Sequence, residues 1–343
     1  MGINVGIVGY GYAGRVFHSQ LIKATEGLNL YAVSSRDPGR REEARSRYGV
    51  VTYETLDQMV EDKNVDLVVI ATPHSTHKEL AVLAMNAGKH VVVDKIMCLS
   101  VSEADEMIEA SRRNGVLLTV FQNRRWDGDF LTLRRILEEG LLGDVFLVES
   151  SVAGYRRPGG WRGKREFGGG PFYDWGAHLV DQALIIAGSE PEYVFCDMQY
   201  RVWGTDVENY ALCSIKFKND LLYQIEVGNI VKAPKPRWRV LGEKGSFVKD
   251  GLDPQEDGLR RGEVGVIRED PRFWGKVRTE IGGIQVEMTV ETIPGTWTAF
   301  YQNVVNHLTK GEELAVKPEE VRKAIAVIEA AVRSAKERKG VMI

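Results

Sequence analysis

The apolar run Val5 to Gly9 leads without a break into Gly9-Tyr10-Gly11-Tyr12-Ala13-Gly14, and a helical pattern opens directly behind it. A glycine-spaced turn at the start of a strand-helix-strand unit commits the beginning of a chain to few folds. Gly9 allows the tight turn and Gly11 lets backbone approach a pyrophosphate. Gly14 lets the helix pack closely on the sheet, and phosphates sit at the helix N-terminus. On this reading Gly9, Tyr10, Gly11, Tyr12, Ala13 and Gly14 form a dinucleotide-binding turn; a turn that only joins strand to helix is the alternative.

The same rhythm fills the first third of the chain. Strands are expected at Val5 to Gly9, Leu30 to Ser34, Leu67 to Thr72, His90 to Asp94 and Leu117 to Phe121. Helices are expected between them at Ala13 to Ala24, Gly39 to Tyr48, Leu56 to Glu61, Lys78 to Ala87 and Ser102 to Asn114. Such alternation predicts a doubly wound parallel sheet covered on both faces, with ligands at the carboxyl ends of its strands.

The second strand ends in "AVSSRDPGRR", where a carboxylate would normally hold the adenosine ribose of NAD. Ser34, Ser35 and Arg36 stand there instead. Ser35 can hydrogen-bond a 2′-phosphate, and Arg36 and Arg40, with Arg41 beside them, can pair with it, so NADP is expected and NAD is the alternative. Asp37 would restore an acid if the alignment shifted by two positions. After the strand at Leu67 comes "ATPHSTH", which sets Thr72, Pro73, His74 and His77 beside the cofactor. His77 lacks a Cys or acid partner at metal spacing, and no metal is expected.

Length and charge bound the remainder. With 343 residues the chain exceeds one ordinary core, and two domains are expected, 1–123 and 124–343, with the C-terminal helix packing back on the first. Forty-five basic against 48 acidic residues give a net charge of −3, which offers no footprint for nucleic acid or an anionic membrane. Cys98, Cys196 and Cys213 lack metal spacing, and no basic, apolar leader opens the sequence, which fits a reducing cytoplasm. No apolar run is long enough to span a bilayer.

From about Asp144 the pattern becomes "DVFLVESSVAG", "EYVFCDMQYRVW", "ENYALCSIKFKNDLLYQIEVGNI" and "RWRVLGEKGSFVKD", which predicts a mostly antiparallel sheet. Gly251 to Gly283 reads as an excursion from it. Helices follow at Trp297 to Thr309 and Pro318 to Lys339. The expected fold is therefore α/β plus α+β, an N-terminal Rossmann sheet followed by an open, mostly antiparallel sheet. Within the second half, "GGGPFYDWGAHLVDQ" predicts a helix from Pro171 to Ala187, stopped by Gly188. Asp174, His178 and Asp181 fall within roughly 60° of arc on an otherwise apolar helix. A buried polar edge is costly unless protein, water or substrate satisfies it.

"GKHVVVDKIMCLS" (Gly88 to Ser100), with the glycine turn, "ATPHSTH" and "FQNRRWDGDF", resembles the glucose-fructose oxidoreductase and inositol dehydrogenase (Gfo/Idh/MocA) family over nearly the whole chain. "GYGYAGRVFHSQLI", "AVSSRD", "NRRWD" and "YRRPGGWR" are most similar to its NADP-dependent scyllo-inositol dehydrogenase branch. The resemblance implies substrate held between a Rossmann domain and an open sheet, and a homodimer or homotetramer built through that sheet. It also implies that Lys95 matches the family lysine and that Asp174 and His178 match its Asp-x-x-x-His pair. Here the motif reads Asp94-Lys95-Ile96, so the family proline is replaced by a residue that cannot fix φ.

Oxidising a secondary alcohol removes a hydride from carbon and a proton from oxygen. An imidazole, with its ordinary pKa near 6.5, suits the base role for His178; Asp174 orients it or binds a second hydroxyl; Lys95 meets the reacting oxygen. The three glycines before the helix are expected to let backbone come near the bound ring. Asn123, Arg124, Tyr155, Arg156, Trp161 and Arg162 are expected to contact a polyhydroxylated ring, aromatic groups on its C–H face and polar ones on its hydroxyls. Structural roles are the alternative for each, and Asp181 is expected to be structural. The expected activity is NADP(H)-dependent interconversion of a cyclic polyol or sugar and its ketone. A nicotinamide-assisted glycoside-cleaving enzyme and a non-catalytic dinucleotide-binding regulator are the competing readings.

Overall fold

The computed structural model describes residues 2–265 and 267–343; Met1 and Val266 lie outside the described residues. The chain divides into two compact units. One comprises Met1–Asn123, Gln255–Gly265 and Thr296–Ile325; the other comprises Arg124–Pro254, Val266–Gly295 and Ala326–Ile343. The chain thus returns twice to its first unit.

The first unit begins with β1 (Ile3–Val8), a helix whose opening turn Ala13–His18 is π-type and continues as α1 (Ser19–Ala24), β2 (Leu28–Ser34) and α2 (Pro38–Tyr48). There follow β3 (Val51–Tyr53), α3 (Leu56–Val60), β4 (Leu67–Ile70), α4 (His77–Asn86), β5 (His90–Val93), α5 (Val101–Asn114) and β6 (Leu118–Val120). All six strands are parallel, in the order β3-β2-β1-β4-β5-β6. This is the Rossmann order, and its direction reverses between β1 and β4, where such sheets bind ligands. β4 is buried at every residue, as a strand covered on both faces should be. β3 was not expected: three residues at a sheet edge, one exposed and two half-buried, carry too short a pattern to read.

The second unit carries α6 (Gly128–Glu138), β7 (Val145–Ala153), a helix with a π-type first turn at Phe172–Gly176 that continues as α7 (Ala177–Ala187), β8 (Pro191–Gln199) and β9 (Tyr210–Phe217). β10 (Leu222–Gly228), β11 (Trp238–Gly242) and β12 (Gly245–Lys249) follow. The first unit's α8 (Gln255–Arg260) comes next, then β13 (Gly275–Ile281), β14 (Ile284–Val290), α9 (Thr298–Lys310), α10 (Pro318–Glu337) and the short β15 (Val341–Met342). The nine-stranded sheet has the order β14-β13-β12-β11-β7-β10-β9-β8-β15, antiparallel throughout except where β10 pairs with β7.

Gly251 to Gly283 is therefore not wholly an excursion, because Gly275–Ile281 is a strand of the sheet and pairs with β14 across Gly282 and Gly283, both at positive φ. A Gly-Gly pair between alternating runs is the ordinary two-residue hairpin signal, and it marks this strand in the sequence. α7 is held by a buried network. The Gln182 carbonyl accepts from Arg237 at 2.8 Å and its amide donates to the Arg124 carbonyl at 2.9 Å, while Arg237 lies 2.9 Å from the Asp129 carboxylate. Removing one member of such a buried ion pair costs about 3–5 kcal/mol, so this network sets the helix firmly.

Candidate active site

The parallel sheet brings four sequence segments to one edge. Gly9 follows β1, Ser35 follows β2, Thr72 and Pro73 follow β4, and Asp94 and Lys95 follow β5. The strands are parallel, so all four segments leave at the carboxyl edge. The glycine turn is pinned on both sides, since Gly9 N–H donates to the Ser34 carbonyl at 3.0 Å and Ala71 N–H donates to the Val8 carbonyl at 2.8 Å.

The three fingerprint glycines divide by what surrounds them. A Cβ on Gly9 would lie 2.5 Å from the Ala71 carbonyl oxygen, and one on Gly14 would lie 2.3 Å from that of Gly9, so both positions are closed by backbone. A Cβ on Gly11 would meet nothing nearer than Arg40 Nη1 at 3.9 Å. Packing within the chain does not require glycine there, which leaves the backbone open to a ligand. We therefore expect Gly14→Ala to lose at least about 2 kcal/mol of stability in thermal melts. Gly11→Ala should melt at or slightly above the wild-type temperature yet bind NADP at least about tenfold more weakly by fluorescence titration. Equal effects of the two substitutions on stability and binding would contradict this division.

The Tyr10 side chain is wholly buried and burial pushes its phenol up to about 12, so its backbone is the part of it on the turn's surface. Tyr12 is half-buried, and its hydroxyl donates to Glu256 at 2.9 Å and accepts from Arg260 Nε at 2.6 Å. Ala13 opens the π-type turn.

At the end of β2, Asp37 is committed to capping α2, where its carboxylate accepts from the Gly39 and Arg40 N–H groups at 2.9 and 3.2 Å. Both bonds fall on one carboxylate oxygen, and the other lies 3.6 Å from Arg40 Nε. Ser35 Oγ accepts from Asp37 N–H at 3.2 Å, which leaves its own proton to donate. Arg41 donates to the Ser35 carbonyl at 2.6 Å, while Arg36 and Arg40 are exposed.

Behind Lys95, Asp94 accepts the Lys95 N–H at 2.9 Å, and the Lys95–Ile96 peptide bond is cis. The Asp94 carboxylate also lies 3.9 Å from Nε2 of fully buried His18, whose Nδ1 is 2.6 Å from the Tyr301 hydroxyl. His77 takes a structural position in the first turn of α4. It is fully buried, with Nδ1 2.7 Å from the Ile96 carbonyl and Nε2 3.0 Å from that of Thr72, so it ties the lysine segment to the end of β4. Burial lowers the pKa of both His18 and His77. His74 is buried with its ring 5.6 Å from that of His77, and Thr72 and Pro73 are half-buried.

In the second unit the Phe172–Ala187 helix carries Asp174 and His178 one turn apart. His178 is 3% exposed and lies against the Trp175 ring at 6.2 Å between centroids. Asp174 accepts from Arg162 Nε at 3.0 Å, and this pairing is half-exposed. Asp181 is structural, as expected: Arg125 grips it with two hydrogen bonds of 2.7 and 2.8 Å. Arg124 is 5% exposed, pairs with Asp127 at 3.0 Å and lies 4.2 Å over the Trp175 ring, so it braces the helix rather than facing outward. Asn123 is 4% exposed in the short Asn123–Trp126 turn.

Trp161 is half-buried with the Arg162 guanidinium 4.7 Å over its ring. Tyr155 and Arg156 are exposed, with Tyr155 beside Trp203 at 5.1 Å. Two glycines of the triplet, Gly169 and Gly170, are closed by protein rather than open to a bound ring. A Cβ on Gly169 would lie 2.5 Å from the Arg162 carbonyl, and one on Gly170 would lie 2.4 Å from the Glu208 carboxylate. Protein fills both positions, and Gly170 N–H donates to the Arg162 carbonyl at 2.9 Å, fastening the arginine segment to the helix start.

Among the described residues, no group of three or more His, Cys, Asp or Glu side chains is placed to hold a metal ion, and no helix is long and apolar enough to cross a membrane.

A dinucleotide-binding sheet joined in one chain to an open-sheet unit defines an oxidoreductase class, and comparison with known proteins agrees. Residues 3–122 match the model for the NAD-binding Rossmann fold of an oxidoreductase family, and residues 134–343 match the model for its C-terminal alpha/beta domain. The chain belongs to the Gfo/Idh/MocA oxidoreductase family. It is 34% identical to a scyllo-inositol 2-dehydrogenase (NADP(+)) of Bacillus subtilis, covering 99% of this chain and 96% of that protein. It is 26% identical to a myo-inositol 2-dehydrogenase of Thermotoga maritima, covering 99% and 98%. A solved Bacillus subtilis structure named only as an oxidoreductase superposes with a TM-score of 0.93 at 32% identity, covering 99% of this chain and 98% of that one.

Proposed function

We propose that this oxidoreductase interconverts a secondary alcohol of a cyclic polyol, scyllo-inositol or a similar ring, and its ketone, with NADP(H) as the hydride carrier. The observation that carries the reading is the shared carboxyl edge of the parallel sheet, where open space above Gly11 and the uncommitted hydroxyl proton of Ser35 stand with Lys95. When bound, the nicotinamide supplies hydride acceptance and donation.

The chain's own residues do the rest. His178 takes the proton from the substrate hydroxyl, and the Lys95 ammonium hydrogen-bonds the same oxygen and stabilises the negative charge that develops there. Asp174, held by Arg162, binds a neighbouring hydroxyl, and Trp161 offers an apolar face to ring C–H groups. Ser35, Arg36 and Arg40 hold the 2′-phosphate, with Asp37 oriented by its helix cap. The exposed Tyr193 and Phe195 on β8 support assembly of a homodimer or homotetramer through the open sheet.

Incubation with NADP and a panel of inositols tests the reading through absorbance at the reduced-nicotinamide band. Net cofactor reduction by at least one cyclic polyol is expected. Glycoside cleavage without net reduction, or NADP binding without turnover on any polyol, would contradict it.

A further inference from the structure

The start of the Asp174–His178 helix is held by a residue that the sequence did not single out. Glu208 precedes β9 and is 5% exposed. Its carboxylate accepts the N–H of Phe172, the first residue of the helix, at 2.8 Å. A Cβ on Gly170 would lie 2.4 and 2.5 Å from the two carboxylate oxygens, so glycine at that position admits the acid. Phe172 is two residues from Asp174, whose own N–H donates to the Gly170 carbonyl at 3.0 Å. The carboxyl group therefore anchors the helix start at Phe172 and lies against Gly170, whose carbonyl takes the Asp174 N–H.

A carboxylate at a helix N-terminus is favoured by the unpaired N–H groups and the helix dipole. Burial nevertheless pushes the Glu208 carboxyl up to about 7, against the pull of the Phe172 N–H, its own N–H and the Arg165 charge. The remaining titratable groups that feel it are Tyr173 on the helix, and Cys196 and Tyr200 on and just after β8. Each of these thiol and phenol groups is raised, so none ionises near neutrality, and among the described residues Arg165 is the cation acting on Glu208.

We propose that Glu208 is a positioning residue for the reaction: its ionised carboxylate orders the first turn of the Asp174–His178 helix, and loss of its charge loosens that turn and slows turnover. This rests on the reading of Asp174 and His178 as catalytic.

The test is kcat, substrate KM and melting temperature of the wild type and Glu208→Gln across pH. Glutamine keeps an acceptor for the Phe172 N–H and removes the charge. The ratio of wild-type to Glu208→Gln kcat should rise from about 1 at pH 5.5 to about ten at pH 8.5, with KM little changed. Stability should move the other way. A raised folded-state value means that the wild type is most stable below the ordinary carboxyl value and loses stability as pH rises through about 7. Glu208→Gln should therefore melt higher than wild type at pH 8.5 and level with it at pH 4.5. A more stable yet slower variant is not what a purely structural residue gives.

Glu208→Asp keeps the charge one methylene short, and should retain the pH-dependent rise at smaller amplitude. A kcat ratio that stays flat with pH for both variants would overturn the proposal. His178→Ala in the same assay separates the two levels: if it is slow while Glu208→Gln is flat, only the role of Glu208 fails; if it is near wild type, the catalytic reading itself fails.

Discussion

On the proposed reaction, Lys95→Ala is expected to lower kcat on a cyclic polyol by about a hundredfold to a thousandfold while NADP affinity and melting temperature stay near wild type. Lys95 is half-buried and follows β5 at the carboxyl edge, so truncation removes a charge without opening a cavity in the sheet. In the proposed reaction its ammonium meets an oxygen whose negative charge grows only as the hydroxyl proton departs. The loss therefore falls on kcat and kcat/KM together, with substrate KM little changed. His178→Ala removes the group that takes that proton and costs a comparable factor, about a hundredfold to ten-thousandfold. Steady-state rates read both effects, and a Lys95→Ala enzyme within threefold of wild type would remove the lysine from the reaction.

The second large effect concerns the cofactor. Ser35→Asp should lower the ratio of kcat/KM for NADP to that for NAD by at least about a hundredfold. The 2′-phosphate carries nearly two negative charges, and Ser35 is half-buried beside the carbonyl grip of Arg41. An acid there repels the phosphate and accepts from the ribose hydroxyls of NAD instead. Asp37 already caps α2 through the Gly39 and Arg40 N–H groups, both on one carboxylate oxygen, so the substitution adds a second acid to this segment. Initial rates with both cofactors measure the ratio; an unchanged value would show that the Ser35 to Arg40 segment does not read the phosphate.

Much of the fold was legible because its signals are local and periodic. The glycine turn, the buried run at Leu67–Ile70 and the Pro171 and Gly188 boundaries each follow from the geometry of a few consecutive residues. β3 and β13 were less accessible. The first is only three residues long, and the second lies among glycines and charges whose hairpin meaning depends on the Gly282-Gly283 pair. Candidate site residues divide in the same way. Asp174 and His178 could be placed on one helix from spacing alone. The commitments of Asp37, His77, Arg124 and the glycine triplet could not, since each is set by a partner or backbone geometry that a linear pattern does not specify. Glu208 escaped notice for that reason, being an ordinary glutamate in the sequence and a helix anchor only once β9 is paired.

The claim that Lys95 and His178 serve one proton and one hydride transfer on one alcohol is tested most directly by kcat/KM of the Lys95→Ala/His178→Ala double variant. Groups that act as a unit are strongly non-additive, so the double variant should be no more than about tenfold slower than the slower single variant. A loss equal to the product of the two single losses would show that the ammonium and the imidazole work independently, and would contradict the account.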